Sequence, residues 1–446
     1  MKRSYFLSII TLLGISGFTE EATPPSLEPV TTVVVPAPTL AQAADIQVEE
    51  KEQRSDMDAL RRWIQDKRLV SVKEVGGDLS ISGEVRTECQ YFNEKRREQG
   101  GTTFIRQRGT GTAHLPPTEK EIKPNLVWDV EFNLMLDYRT DRTWAAMKVE
   151  FDNDMGVRSG TVNKVRLEKA YLGGRLIAGD TFTWDTELGR RYLSNVFDSK
   201  VEFSAFFDGL LFRLGKASAA IGDLYANLAA FLVDDRFDHY GEAVELGALR
   251  IANVGLNLKY SIINWYKPYK ADQAPQRWKF LVNQFMAAYL FYPEWIGKRL
   301  IKLYAAGLIN PLAQNVVQTG YTKQNLGAYA GVAIGVVKKA GDWAIEANYQ
   351  WVQAQCIPDV DVAGIGRGNA QNVGFYTTNI DGTGRPTTQA TAVGNGNYKG
   401  FEIEALYAFT DNLTVLQNLK MTNTLNTSIG PNLKFKQWEL EFIYAF

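Results

Sequence analysis

The chain has 446 residues, 49 Lys and Arg against 50 Asp and Glu, two Cys, two His, and 10 Trp, 20 Tyr and 23 Phe. A formal charge of −1 supplies none of the attraction that a phosphate backbone needs, which argues against nucleic acid as a partner. Two Cys and two His leave too few ligands for a disulfide scaffold, a Cys-rich zinc site or most His-based catalytic centres, so neither a cofactor, a metal nor enzyme activity is expected. Length alone would suit about three soluble domains, but 38 Gly and the aromatic content fit one large β architecture equally well.

Met1-Lys2-Arg3 and the short apolar run from Tyr5 to Ile15 have the form of a secretory signal over residues 1–16, with the cut near the small residues of Gly14-Ile15-Ser16. Residues 17–54 carry Pro24, Pro25, Pro29, Pro36 and Pro38 among small side chains and read as an extended linker. Over 55–70, Ser55-Asp56-Met57-Asp58 resembles a capping box, and Met57, Leu60, Trp63 and Ile64 follow at helical spacing. Lys67 breaks the heptad, so this amphipathic helix suits packing against the β structure that follows better than it suits trimerisation or wall binding.

From residue 78 to 446 the dominant period is two. Leu126, Trp128, Val130, Phe132, Leu134, Leu136 and Tyr138 are apolar, while Asp129, Glu131, Asn133 and Asp137 interleave. Ten residues separate Trp128 from Tyr138, which at ~3.3 Å per residue and ~40° of tilt spans roughly 25 Å, the apolar height of an outer-membrane barrel. The device recurs from Trp343 to Trp351 and from Phe401 to Phe409. Fifteen strands are read directly and a further one is expected in the crowded region 199–253, with Asp208-Gly209 as a candidate turn. The predicted fold is therefore an all-β transmembrane antiparallel barrel of about sixteen strands, within a range of 14 to 18. Short connections at Thr140-Asp141-Arg142, Lys339-Ala340-Gly341-Asp342 and Thr410-Asp411-Asn412 suit the periplasmic side, and long ones at 91–124, 310–325 and 354–397 suit the exterior.

The final strand alternates Trp438, Leu440, Phe442, Tyr444 and Phe446 with Gln437, Glu439 and Glu441. It resembles the C-terminal signature that the barrel-assembly machinery of Gram-negative bacteria reads. Together with the signal and the alternation, it makes residues 78–446 resemble a general porin. Trp63-Ile64-Gln65-Asp66-Lys67-Arg68, Glu187-Leu188-Gly189-Arg190-Arg191, Leu256-Asn257-Leu258-Lys259-Tyr260-Ser261 and Ala363-Gly364-Ile365-Gly366-Arg367-Gly368-Asn369 are similar to phrases in porins of amoeba-associated chlamydiae. The resemblance implies passive diffusion of small hydrophilic solutes through a water-filled barrel in the cell outer membrane, among its lipids and often as a homotrimer. A structural or adhesive barrel, with loops binding external partners and a blocked lumen, is the competing reading.

Ionisable residues occupy the expected inward positions: Glu84, Arg86, Glu88, Asp129, Glu131, Lys148, Glu150, Arg166, Glu168, Glu346, Glu402, Glu404, Glu439 and Glu441. A packed core could not take so many charges at several kcal/mol per buried ion, so water is expected inside. Arg190 and Arg191 are candidates for a constriction, and Lys298 and Lys302 are expected inward as well. Gly364-x-Gly366-x-Gly368 lacks the Lys-Ser/Thr of a phosphate loop and reads as loop flexibility. Cys89 and Cys356 start roughly 19 Å apart, four strand spacings at ~4.8 Å, beyond disulfide reach, but are expected exposed. His114 and His239 fall in predicted connections without a triad spacing.

Overall fold

In the computed structural model, the described residues are 70–74, 77–97, 103–106, 126–155, 164–218, 221–234, 239–252, 254–265, 279–316, 319–358, 360–366, 396–429 and 432–446. The expected signal, linker and helix, over 1–16, 17–54 and 55–70, lie outside them apart from Val70. His114 lies outside them too. Sixteen strands form the barrel, here numbered in chain order: β1 Gly77–Arg97, β2 Leu126–Arg139, β3 Thr143–Asp154, β4 Lys164–Ala178, β5 Phe182–Tyr192, β6 Phe206–Ser218, β7 Gly222–Asp234 and β8 His239–Ile251. The second half comprises β9 Leu256–Asn264, β10 Leu281–Phe291, β11 Ile301–Ile309, β12 Leu326–Ile334, β13 Trp343–Val352, β14 Tyr398–Ala408, β15 Leu413–Thr424 and β16 Asn432–Ala445.

Each strand pairs antiparallel with its chain neighbours, and β1 pairs with β16 from Glu84↔Ala445 to Arg97↔Asn432, closing the sheet. Closure is completed at the chain end, where Phe446 N–H donates to Gly83 O and Gly83 N–H to Phe446 O, both at 2.9 Å. Two short strands cover what β1 leaves open. Val70–Glu74 pairs along Gly77 to Ile81, below the end of β16, and Thr103–Arg106 takes over at Glu94 to Arg97, above the end of β2.

The strand missed between 199 and 253 is β8, whereas Asp208-Gly209 lies inside β6 and is no turn. β8 escapes a reading by alternation because its inner face is small. A Cβ on Gly241 would stand 2.5 Å from the Phe231 ring, and Gly247 similarly gives way to Tyr225. His239 opens this strand instead of sitting in a connection, and it is buried against Trp265 O at 3.1 Å.

Outward positions are apolar around the wall, as at Leu172, Phe285, Tyr349 and Phe442, all exposed. Water would not support so continuous an apolar surface; hydrocarbon would. Among the described residues no helix is long and apolar enough to cross a membrane. Phe446 stacks on Phe132 at 6.3 Å on this outer face, beside the closure.

Two outcomes test the register in a bilayer. Val130→Arg, mid-height on the outer face, is expected to lower stability by roughly 2 to 4 kcal/mol, and Glu131→Gln, one residue on and facing inward, by under about 1 kcal/mol. Unfolding titrations in lipid vesicles measure both. Deleting Phe446 removes the last closing hydrogen bonds and is expected to reduce the heat-modifiable folded fraction on gels.

Candidate functional site: the barrel lumen

Alternation on the strands that flank the closure sends every second residue inward, and on β2 all the charged residues share that parity. Arg86 is 3% exposed and donates to Glu84 Oε1 through Nε at 2.9 Å and Nη2 at 2.7 Å, and to Glu441 Oε1 through Nη1 at 2.9 Å. Asn133 Nδ2 donates to the same Glu84 oxygen at 2.7 Å. Beside this cluster Lys148 pairs with Glu168 and lies 3.7 Å from Glu150, which Arg166 also approaches at 3.4 Å. Arg86, Glu88, Asp129, Glu131, Glu150, Asp152, Arg166 and Glu441 line one cavity of about 260 Å³. They come from five adjacent strands, β16, β1, β2, β3 and β4. Glu168 is the extra residue of a β-bulge, where the register passes from Lys148↔Lys169 to Val149↔Leu167, and this aims its carboxylate at Lys148.

The opposite part of the interior is filled by the chain itself. The segment 193–205 leaves β5 and returns to β6, yet it bonds to inward residues far around the wall. Asp198 N–H donates to Glu245 Oε2 at 2.8 Å, Lys259 Nζ donates to Asp198 Oδ2 at 2.8 Å, and Gln284 Nε2 donates to Asp198 O at 2.6 Å. Lys200 Nζ reaches Glu346 on β13 at 2.6 Å. A segment anchored at β5 and β6 can meet β8, β9, β10 and β13 only by crossing the lumen. Burial works against the Lys200 charge, but the Glu346 carboxylate more than offsets it and holds the ammonium above its ordinary pKa.

A second segment, 353–366, packs on the first. Ala363 N–H donates to Val201 O at 3.0 Å, Ser204 N–H to Asp361 O at 3.3 Å, and Ala205 N–H to Asp361 Oδ1 at 3.0 Å. Leu193, Val196, Phe197, Val201 and Phe203 join Cys356, Ile357, Val362 and Ile365 and the inward apolar residues of the wall in one core. Gly364 is therefore a packing residue and not a flexible one, because a Cβ there would collide with the Tyr398 hydroxyl.

Of the residues expected inward, Glu346 and Glu441 are buried, Gln90 and Gln437 donate to Glu439, and Asn418 Nδ2 donates to Glu402 at 3.0 Å and to Glu404 at 3.3 Å. Arg191 lies inward, pairs with Glu187, and sits 4.0 Å from the centre of the Tyr171 ring. Arg190 departs from the expectation, since neighbours on a strand point to opposite faces. It shares the outer face with Leu188, pairs with Asp208 at 2.7 Å and lies over Phe206. Lys302 is inward and buried, but Lys298 sits exposed in the turn before β11. Cys89 and Cys356 are free, and both are buried, contrary to the exposure expected of them.

Sequence reasoning passed over Asp198, Lys200, Glu202 and Glu245, and gave Lys259 and Asp361 no place in the interior. A usable signal was present: a solvated loop has no use for Leu193, Val196, Phe197, Val201 and Phe203 within eleven residues. Among the described residues no three Asp, Glu, His or Cys side chains converge as metal ligands.

No protein-family model matches the chain, and no curated protein is recognisably related to it. Among solved structures it is similar to Pseudomonas putida OprB in a low-pH structure (11% identical, 88% of this chain and 97% of that one, TM-score 0.44). The high-pH structure of the same protein gives 11% identity, 82% and 94% coverage and a TM-score of 0.47. A mutant of Rh. blastica porin gives 9% identity, 82% and 100% coverage and a TM-score of 0.40. At such identities and scores the likeness assigns no function. The class is defined by the chain's own geometry, a closed sixteen-stranded antiparallel barrel with an apolar outer wall and a charged interior.

The contact between the two segments carries a pH dependence. Glu202 is 1% exposed with neither carboxylate oxygen hydrogen-bonded, and Asp361 is fully buried. Burial, and then the nearby Asp361 carboxylate, push Glu202 well above its ordinary pKa, while burial, eased by the Ala205 and Phe203 amides, pushes Asp361 up to about 7. Cys356 lies near enough to feel the Glu202 charge, and its own pKa is raised by burial and then by Glu202. Folded values above the unfolded ones mean that the contact is fully stable below about pH 4 and weakens as pH rises through about 7. Hydrogen-exchange protection in 193–205, taken relative to the intrinsic amide rate at each pH, is expected to fall between pH 5 and pH 8.5, and the double variant Glu202→Gln, Asp361→Asn is expected to abolish that fall.

Proposed function

We propose that this protein is a general diffusion porin of the bacterial outer membrane, passing small hydrophilic solutes and ions along the charged wall formed by β16 and β1 to β4. The observation that carries the reading is the cavity lined by eight ionisable side chains on five adjacent strands. Charges in that number are stable only where water or paired charge surrounds them, and an apolar outer wall with short turns at the end that carries Phe446 suits a membrane barrel with its long loops outside. In this reading Trp438, Leu440, Phe442, Tyr444 and Phe446 present the final strand to the barrel-assembly machinery, and assembly as a homotrimer belongs to the same proposal. The narrower likeness to porins of amoeba-associated chlamydiae rests on the four quoted phrases alone.

A second reading, a structural or adhesive barrel with a closed lumen, is favoured by one observation, the apolar core that 193–205 and 353–366 build inside the wall. Purified protein in planar bilayers separates the two. Stepwise conductance supports the porin, and silence from protein that is folded by heat-modifiability supports the closed barrel.

The lining also sets a sign. Six carboxylates stand against two guanidiniums around the cavity, so cations are expected to be preferred where the low-dielectric wall focuses the field. Reversal potentials across a KCl gradient are expected to be weakly cation-selective and to shrink toward 1 M salt, where screening shortens to ~3 Å. An anion-selective sign would give the arginines control of the passage.

A further inference from the structure

The outer wall carries a basic feature that the passage does not use. Lys399 on β14 is registered with Asn423 on β15, Asn423 with Lys434 on β16, and Lys434 with Lys95 on β1. All four side chains are exposed and share the outward face, and so does Lys436, one outward position along β16. Cross-strand neighbours stand about 5 Å apart, so three lysines and the Asn423 amide form one row across four adjacent strands and the closure seam.

Their height on the wall is set by the strand. Lys436 and Lys434 lie eight and ten residues from Tyr444, roughly 20 and 25 Å along the barrel axis at a tilt of ~40°. They therefore stand just beyond the aromatic level of Trp438 and Tyr91, at the long-loop edge of the apolar band. The outward positions of β14, β15, β16 and β1 include no Asp or Glu among the described residues.

We propose that this row binds the phosphorylated headgroup of a lipid in the outer leaflet. The acyl chains would lie along the apolar wall below, the ammonium groups of Lys399, Lys434 and Lys436 would meet the phosphate oxygens, and the Asn423 amide would donate to phosphate or sugar oxygens. Membrane lipid is favoured over a soluble anion because the row sits at headgroup depth and continues into the lipid-facing surface. The inference rests on the membrane placement proposed above and is independent of conduction.

The test is native mass spectrometry of the full chain in detergent, titrated with diphosphoryl lipid A, with the same lipid lacking phosphates, and with inorganic phosphate. Retention of the phosphorylated lipid is expected to fall about tenfold or more in the triple variant Lys399→Gln, Lys434→Gln, Lys436→Gln. Lys338→Gln with Lys339→Gln, exposed on the turn before β13, is expected to leave retention unchanged. Equal retention by the triple variant, an equal loss in the turn variant, or equal binding of the phosphate-free lipid would overturn the proposal, as would saturation by inorganic phosphate alone. Heat-modifiability confirms that each variant is folded. Conductance in neutral phosphatidylcholine is read separately: a silent barrel that still binds the phosphorylated lipid ends the porin reading and leaves this one standing, whereas a conducting barrel that does not bind it does the reverse.

Discussion

Hydrocarbon offers no partner to a peptide N–H or C=O, so a strand-built wall can cross it only if the sheet has no edge. In this chain that requirement falls on one seam. The ladder between β1 and β16 joins residues 335 to 361 positions apart, from Arg97↔Asn432 to Glu84↔Ala445, and the reciprocal Gly83 and Phe446 bonds finish it at the final residue. Everything inside depends on that closure, because only a closed wall separates an interior where Arg86, Glu84 and Glu441 are held together from an exterior made of Leu, Phe and Tyr. The seam is also a late contact in sequence terms, since no local structure brings the two strands together before the rest of the barrel is placed.

The interior is divided, and two kinds of physics occupy the halves. Along β16 and β1 to β4 the inward side chains are charged and leave a cavity. Along β7 to β13 many are apolar, Ile263, Val282, Met286 and Leu308 among them, because 193–205 and 353–366 cover them. The crossing segment is fixed by a mixture of both: Lys259 and Glu346 on the wall pair with its Asp198 and Lys200, while Phe197 and Phe203, with ring centres 5.3 Å apart, occupy the apolar middle. A charged cavity and a packed core thus share one lumen.

The outward face was legible because membrane-facing strands obey one rule, apolar at every second position, and the run from Leu126 to Tyr138 follows it throughout. Where a strand's inner face must yield space to inward aromatics, as Gly241 yields to Phe231, the rule thins out and β8 disappears from view. Pairing partners across the lumen were beyond reach. Nothing in the local sequence of Lys200 points to Glu346, because that contact is set by the path of a segment and not by the period of a strand. Arg190 and Arg191 teach a smaller lesson: adjacency in a strand guarantees opposite faces, so only one of two neighbouring arginines can serve the interior.

The segment 193–205 has a mechanical side as well. A thin cylindrical shell of hydrogen-bonded strands resists stretching along its circumference far better than it resists flattening, since flattening changes only the angles between neighbouring strands. A tie across the diameter removes that soft mode. The links from Asp198 to Lys259 and from Lys200 to Glu346 couple the β5 to β6 side with β9 and β13, so lateral pressure from the surrounding bilayer is met by ion pairs and packed rings as well as by the curvature of the sheet. Cutting those ties would yield a barrel of the same circumference but of variable cross-section.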